Sequence, residues 1–230
     1  MTRLAVFDLD GTLVDTAPDL VDTCNTVLAR RGVPEVAPET LRRHIGMGAR
    51  AMIEASLRLN AITLAPAEID TIFHDYIEHY ASRIDKLSRP FPELLTALDT
   101  LDAAGVGLAV CTNKREGLAR QLLTALGLLD RFVAVTGGDT FPVCKPNAEH
   151  LLRTIELAGG TRERTVYVGD SRIDRETATN ARVPIVGLTY GYSDVPMTDL
   201  APERLLGPGE DVGAAILALF PEDAGLQAAQ

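Results

Sequence analysis

The sequence is poor in cysteine, in long apolar runs and in positive charge. Its three cysteines among 230 residues are an odd, sparse set, which argues against a disulfide framework and suits a reducing compartment. No apolar run approaches the roughly 20 residues that a membrane-spanning helix needs, and the best candidate, residues 212–220, predicts a core helix. The first apolar strand follows directly after Arg3, so no signal peptide is expected.

Acidic residues outnumber basic ones, 32 to 22, which gives a net charge of −10. A general nucleic-acid-binding protein would carry a basic footprint instead. We therefore expect a cytoplasmic protein with no nucleic-acid partner and no membrane partner. The oligomeric state is open between a monomer and a homodimer, because nothing in the sequence demands self-association.

The second half of the sequence alternates short apolar strands with single helices. The strands are predicted at residues 108–111, 132–135, 165–168 and 185–188. The helices are predicted at residues 92–104, 115–126, 147–157 and 173–181. This alternation indicates βαβ units and a parallel sheet buried on both faces, and the strand at residues 3–7 belongs to it. We predict an α/β, Rossmann-like fold with helices on both faces of the sheet.

A block of helices interrupts this pattern after the first strand. Helices are predicted from residue 17 to the turn before Gly32 and at residues 39–44, 49–59 and 66–84, with no strand between them. We expect residues 1–15 and 86–230 to form the α/β core domain. Residues 16–85 would then be an inserted, all-helical cap domain.

Two carboxylates leave the first strand together. Residues two apart on a strand point to the same face, so Asp8 and Asp10 are expected side by side at the carboxyl end of the strand. Gly11 then allows the chain to turn. In open α/β sheets, ligands bind in the crevice outside the carboxyl ends of the strands.

Polar residues follow the other strands as well. Because parallel strands share one direction, these clusters should gather at one edge of the sheet. They are Thr112-Asn113-Lys114, Lys145-Pro146 and Gly169-Asp170-Ser171, with Asp174 four residues beyond Asp170.

Such an edge would carry up to four negative charges, a costly arrangement unless a cation lies among them. The carboxylates are Asp8, Asp10, Asp170 and Asp174. Their hard oxygens suit Mg²⁺, while the Thr112 hydroxyl, nearby backbone N–H groups and the Lys145 ammonium suit phosphate. Asp174 could instead be a surface residue of its helix.

The four polar segments occur in the order of the four motifs of the haloacid dehalogenase superfamily, and the chain resembles that family. The helical insertion resembles its C1-type cap. Within the superfamily the chain is most similar to phosphoglycolate phosphatases. The segments that carry this closer resemblance are residues 10–16, 46–49 and 187–192.

The resemblance implies a role for each residue. Asp8 would be the nucleophile and a Mg²⁺ ligand, and Asp10 the general acid/base with its backbone carbonyl on the metal. Thr112, Asn113 and Lys145 would hold the phosphoryl group. Asp170 would bind Mg²⁺, and Asp174 would assist. The chain departs from its relatives at Arg182, where a glycine is usual at the end of a helix.

The sequence leaves the roles of the cap residues open. Arg43, within Arg42-Arg43-His44, either reaches over the site to a substrate anion or lies in an exposed turn. Gly46, within Gly46-Met47-Gly48-Ala49, either admits the substrate close to the backbone or forms an interhelical turn. The resemblance favours a role for both in substrate binding.

The resemblance implies a Mg²⁺-dependent phosphatase that acts on a small phosphorylated substrate, first of all 2-phosphoglycolate, through an aspartyl-phosphate. One alternative is a phosphotransferase similar to β-phosphoglucomutase. Other phosphatase substrates, such as a sugar phosphate or pyrophosphate, are also open. A non-enzymatic sensor that binds Mg²⁺ and a phosphorylated metabolite is the third alternative.

Overall fold

A computed structural model describes residues 3–221 of the chain. The strands in chain order are β1 (Leu4–Phe7), β2 (Val14–Asp15), β3 (Arg89–Pro90), β4 (Gly107–Cys111), β5 (Ala134–Thr136), β6 (Thr165–Gly169), β7 (Ile185–Leu188) and β8 (Arg204–Leu206). The helices are α1 (Ala17–Ala29), α2 (Pro38–Arg42), α3 (Ala49–Leu59), α4 (Pro66–Ala81), α5 (Pro92–Ala103), α6 (Glu116–Ala125), α7 (Ala148–Leu157), α8 (Arg172–Ala181) and α9 (Val212–Leu219).

The main sheet is parallel throughout the described residues, in the spatial order β5-β4-β1-β6-β7-β8. Both of its faces are buried. Along β1, Ala5 and Phe7 belong to one apolar cluster, and Leu4 and Val6 to the other. Alternate side chains of a strand point to opposite faces, so β1 is covered on both sides. The predicted α/β fold is confirmed.

The chain leaves and re-enters this core through two adjacent segments. The short strands β2 and β3 pair antiparallel, Asp15 opposite Arg89. The carboxylate of Asp19 accepts hydrogen bonds from the backbone N–H groups of Leu87 and Ser88 and from the Ser88 hydroxyl, at 2.7 to 2.8 Å. We call these two crossings, residues 14–19 and 87–90, the hinge.

Between the two crossings, the described chain forms only helices, turns and loops, as predicted. The helices α1 to α4, which we call the cap helices, pack mainly on one another, with α4 against both α1 and α3. A short 3₁₀ turn at Ile45–Met47 joins α2 to α3. This turn carries the Gly46 loop towards the sheet.

Some predicted details are wrong. The strand expected at residues 132–135 is Ala134–Thr136, because Phe132 ends a short 3₁₀ turn and Val133 is 63% exposed. The strands β2, β3 and β8 were not predicted, since two or three residues show no periodicity. Asp15 or Thr16 was expected to cap the first helix; Thr16 occupies the N-cap position of α1, but its side chain makes no capping hydrogen bond.

Arg182 ends α8 in the left-handed conformation, with φ +56° and ψ +47°. This is the backbone region that a helix-ending glycine usually adopts. The turn is therefore kept although the residue differs. The predicted core helix near the C-terminus is confirmed as α9, whereas the tail from residue 222 lies outside the described residues. No helix between residues 3 and 221 is long and apolar enough to cross a membrane.

Candidate active site

The end of β1 delivers Asp8 and Asp10 to the floor of a cavity of about 440 Å³ beneath the cap helices. The backbone N–H of Asp8 extends the sheet by donating to the carbonyl of Val168 at 2.9 Å. Gly11 then turns the chain with φ +86°. A Cβ at Gly11 would lie 2.7 Å from Oδ2 of Asp170, so glycine is required both for the turn and for the close approach.

Three carboxylates form a buried cluster, with one oxygen from each lying within 4.8 Å of the others. They come from Asp8, Asp170 and Asp174, at the ends of β1 and β6 and in α8. The ammonium of Lys145 lies 2.8 Å from Oδ1 of Asp8 and 2.8 Å from Oδ1 of Asp174. This single cation faces two of the three carboxylates, so the predicted convergence of these segments is seen in the structure.

The electrostatics of the cluster favour an additional cation. Burial raises the pKa of Asp8 to about 7, against the lowering effect of Lys145. Burial also raises the pKa of Asp170 well above its ordinary value, and the negative charge of Asp174 adds to this. Burial would likewise raise the pKa of Asp174, but Lys145 and the hydrogen bonds that Asp174 accepts hold that pKa below its usual value. The hard oxygen donors fit a divalent cation such as Mg²⁺.

Asp170 is held in place by residues to which the sequence assigned no role. Thr12 donates from its hydroxyl to Oδ1 of Asp170 at 2.6 Å, and the backbone N–H of Tyr192 donates to Oδ2 at 2.6 Å. The backbone of Gly191 approaches so closely that a Cβ there would lie 2.0 Å from Oδ2. These contacts leave the Asp170 carboxylate one orientation, towards Asp8 and Asp174.

Asp174 is fully buried and is not a surface residue of α8. Ser171 and Asp174 form a reciprocal capping box at the start of the helix. The hydroxyls of Ser171 and Tyr167 donate to the Asp174 carboxylate at 2.6 and 2.7 Å. Asp174 therefore positions Lys145, through the 2.8 Å contact, as well as contributing charge to the cluster.

The segment after β4 lies on the other side of Asp8. Thr112 is buried and lines the cavity together with Asn113 and Lys114. The side-chain amide of Asn113 donates to the carbonyls of Gly46 and Lys145, at 3.3 and 3.2 Å. It thus links the cap loop to the loop that carries Lys145.

Asp10 does not share the acidic cluster. Its carboxylate accepts hydrogen bonds from the Lys114 ammonium, at 2.8 Å to Oδ1 and 3.1 Å to Oδ2. Asp8 and Asp10 line the same cavity but have different cationic partners. The geometry thus separates the two carboxylates, and the side chain of Asp10 is free for a role other than metal binding.

The cap residues divide between two cavities. Gly46 lines the large cavity above Asp8. Arg43 is exposed and lines a second cavity of about 380 Å³, which reaches Asp170 from the other side. The predicted contact of Arg43 with substrate stays a prediction, and this placement does not support it.

Lys114, Thr12 and Tyr192 lie within the segments that the sequence singled out, but the sequence assigned none of them a role in the site. For Lys114 a signal existed, since Thr112 and Lys114 are two residues apart at a strand end, as are Asp8 and Asp10. For Thr12 and Tyr192 no local signal is available. Thr12 is separated from its partner Asp170 by 158 residues.

Comparison with known proteins agrees with this site. A family model described as haloacid dehalogenase-like hydrolase matches residues 5–188, which is most of the chain and includes every motif. The chain belongs to the haloacid dehalogenase-like hydrolases. The predicted superfamily and the prediction of a hydrolase are confirmed.

Individual proteins are similar to this chain over most of its length. The chain is 47% identical to a phosphoglycolate phosphatase of Agrobacterium fabrum over 220 residues, covering 96% of this chain and 93% of the relative. It is 41% identical to a phosphoglycolate phosphatase of Mesorhizobium japonicum, covering 88% and 89%. A crystal structure from Haemophilus somnus, described as a predicted phosphoglycolate phosphatase, superposes with a TM-score of 0.83 at 30% identity, covering 89% and 93%. The predicted resemblance to phosphoglycolate phosphatases is confirmed.

Proposed function

We propose that this protein is a Mg²⁺-dependent phosphatase that hydrolyses 2-phosphoglycolate to glycolate and phosphate. The observation that carries the proposal is the buried cluster of Asp8, Asp170 and Asp174, in which Lys145 contacts Asp8 and Asp174, at a cavity that Asp8 and Asp10 line. The choice of substrate is supported by the names of the relatives that are similar over nearly the whole chain.

The residues present fit a magnesium ion. Carboxylate oxygens of Asp8 and Asp170 would hold it, with the backbone carbonyl of Asp10 and with Asp174 assisting. Bound there, Mg²⁺ would offset the charge of the cluster and of the substrate's phosphate oxygens.

In the first step, an oxygen of the Asp8 carboxylate attacks phosphorus, and the bond between phosphorus and the ester oxygen breaks. Asp10 gives its proton to that leaving oxygen, so that glycolate departs. Lys145 and Thr112 hold the phosphoryl oxygens. The product of this step is an aspartyl-phosphate on Asp8.

In the second step, Asp10 takes a proton from water while the water oxygen attacks phosphorus. The bond between phosphorus and the Asp8 oxygen breaks, which releases inorganic phosphate and restores the Asp8 carboxylate. Asp10 thus ends the cycle with the proton it started with. Because Asp10 and Asp8 have separate counter-charges, Lys114 and Lys145, each carboxylate can perform its own task.

We also propose that residues 16–85 act as a cap domain that closes over the cavity and excludes bulk water. The hydrogen bond from Asn113 to Gly46 is one contact between the cap and the catalytic floor in the closed state. The free thiols of Cys24, Cys111 and Cys144 are consistent with a cytoplasmic location.

Phosphate release from 2-phosphoglycolate, with Mg²⁺ and with a chelator, tests the proposal. We expect turnover that the chelator abolishes, and a folded but inactive Asp8→Asn variant. Thermal unfolding of the variant controls for its fold. Near wild-type turnover by Asp8→Asn would refute the assignment of the nucleophile.

A substrate panel in the same assay tests the choice of substrate. Glucose 1-phosphate converted to its isomer without free phosphate would indicate a phosphotransferase. A clear preference for pyrophosphate or a sugar phosphate would keep the phosphatase and change its substrate. Binding of Mg²⁺ and phosphorylated metabolites with no turnover would indicate a sensor.

A further inference from the structure

The floor of the large cavity holds a buried cation that the proposed steps do not use directly. The Lys114 side chain is 5% exposed and contacts both oxygens of Asp10. The ring of Tyr80, from cap helix α4, lies over the ammonium at 4.5 Å from ring centroid to Nζ. Lys114 therefore lies at the junction of the catalytic floor and the cap.

The other cations around this cavity are engaged elsewhere. Arg50 pairs with Asp70, and Arg115 pairs with Asp139 at 3.0 Å; the two arginine side chains are 45% and 53% exposed. Lys145 is held by Asp8 and Asp174 beneath the floor. Among the described residues that line the cavity, Lys114 is thus the buried positive charge.

The ammonium has capacity for a further acceptor. A lysine carries three N–H donors, and the Asp10 carboxylate is the only hydrogen-bond acceptor of the Lys114 ammonium within residues 3–221. The Tyr80 ring contributes attraction to the positive charge but is not a conventional acceptor.

Most of the other side chains that line the cavity are apolar. Those of the cap helices and of the loop before α3 include Ile45, Met47, Met52, Phe73, Tyr76 and Ile77. Burying a carboxylate against such walls without a partner is costly. Because Arg50 and Arg115 are exposed and paired with carboxylates, the best partner for a carboxylate brought into this cavity is Lys114 at the floor.

We propose that Lys114 binds the carboxylate of the substrate and thereby selects short phosphorylated acids over neutral phosphate esters. The inference rests on the proposed function, in which Asp10 protonates the leaving oxygen. In 2-phosphoglycolate a single methylene separates that oxygen from the carboxylate. A group that contacts Asp10 is therefore within reach of the carboxylate as well.

The test compares 2-phosphoglycolate with ethyl phosphate, in which a methyl group replaces the carboxylate. We expect wild-type kcat/KM to be higher for 2-phosphoglycolate than for ethyl phosphate. A site built to bind a polar group discriminates strongly against an analogue that lacks it. Lys114→Met should therefore reduce the ratio of the two kcat/KM values by about tenfold or more. Lys114→Arg should restore part of the preference. The control is Arg204→Met, which removes an exposed positive charge on β8 and should leave the preference unchanged.

Equal loss of kcat/KM for both esters in Lys114→Met would overturn the inference, because Lys114 would then only position Asp10. A wild-type enzyme with no preference would overturn it too, while leaving the phosphatase assignment intact.

A binding experiment separates failure of the inference from failure of the proposed function. Calorimetry in the Asp8→Asn background, with Mg²⁺, measures affinity without turnover. Lys114→Met should weaken 2-phosphoglycolate about tenfold and leave ethyl phosphate nearly unchanged. If 2-phosphoglycolate and ethyl phosphate bind with equal affinity both before and after the substitution, Lys114 is not the partner of the carboxylate, whatever reaction the enzyme performs.

Discussion

The backbone N–H of Tyr192 donates a 2.6 Å hydrogen bond to Asp170, while the hydroxyl of Tyr192 donates to Asp15 in the hinge. The same hydroxyl accepts a hydrogen bond from the backbone N–H of Ala17, the first residue of α1, at 3.0 Å. The guanidinium of Arg42 lies over the ring at 5.0 Å. One residue therefore contacts the acidic cluster, the hinge and the cap.

Tyr192→Phe removes the hydroxyl but keeps the backbone contact with Asp170. We expect the free energy of unfolding to fall by about 2 kcal/mol, because the half-buried carboxylate of Asp15 and the buried N–H of Ala17 lose a partner. Amide hydrogen exchange at the hinge should accelerate, and Mg²⁺ affinity should not change. Tyr190→Phe is the control, since the Tyr190 hydroxyl has no hydrogen-bond partner in the part of the chain that the structure describes. Weaker Mg²⁺ binding with unchanged hinge exchange would contradict this account of Tyr192.

Gly191→Ala tests whether the position of the Asp170 carboxylate is needed for Mg²⁺ binding. The new Cβ would lie 2.0 Å from Oδ2 and 2.1 Å from Cβ of Asp170, so the carboxylate must move. We expect Mg²⁺ affinity, measured by calorimetry, to fall at least about tenfold, as for other residues that orient ligands. Gly117→Ala in α6, where a Cβ meets nothing within 4 Å, should bind Mg²⁺ like the wild type. Unchanged affinity in Gly191→Ala would argue against Asp170 as a ligand.

Because of His150, we expect the protein to lose stability at acidic pH. The ring of His150 is fully buried, has no hydrogen-bond partner for either nitrogen within residues 3–221, and packs edge-on against Phe141. Burial lowers the pKa of His150 from 6.5 to about 4, and the positive charge of Lys145 adds to this. The neutral ring is therefore favoured in the folded state. Its contribution is complete above pH 6.5 and is lost as pH falls towards 4, by about 3 kcal/mol.

Urea unfolding between pH 7 and pH 4.5 measures this dependence. His150→Leu should flatten the decline of unfolding free energy relative to the wild type. His74→Leu is the matched control, because His74 is 72% exposed, and it should keep the wild-type slope. Identical slopes in the wild type and His150→Leu would show that other groups, such as the acidic cluster, cause the acid sensitivity.

The sequence predicted those parts of the site that follow from strand direction. Asp8, Thr112 and Asp170 each follow an apolar strand, and parallel pairing alone brings such residues to one edge. The place of Lys145 at the site was predicted from the order of the motifs rather than from periodicity, since its loop has no regular structure. These predictions required no knowledge of side-chain geometry.

Other parts depended on contacts between distant segments. The pairing of Lys114 with Asp10 joins residues 104 positions apart, and the strand-end spacing that brings Lys114 to this edge does not identify its partner. Arg43 lines the second cavity; it directly follows the last residue of the five-residue helix α2, where periodicity does not predict the direction of a side chain. The strands of the hinge are too short to leave a pattern in the sequence. The residues at the floor of the site were therefore more predictable from the sequence than the residues that hold them in place.

The most direct test of the central claim is to trap the phosphorylated enzyme. A single turnover with phosphorus-labelled 2-phosphoglycolate and Mg²⁺ is quenched in acid, and the digested protein is mapped by mass spectrometry. We predict label on Asp8, within the tryptic peptide of residues 4–30, and no label in Asp8→Asn. Label on any other residue, or stoichiometric phosphate release by Asp8→Asn, would contradict the account.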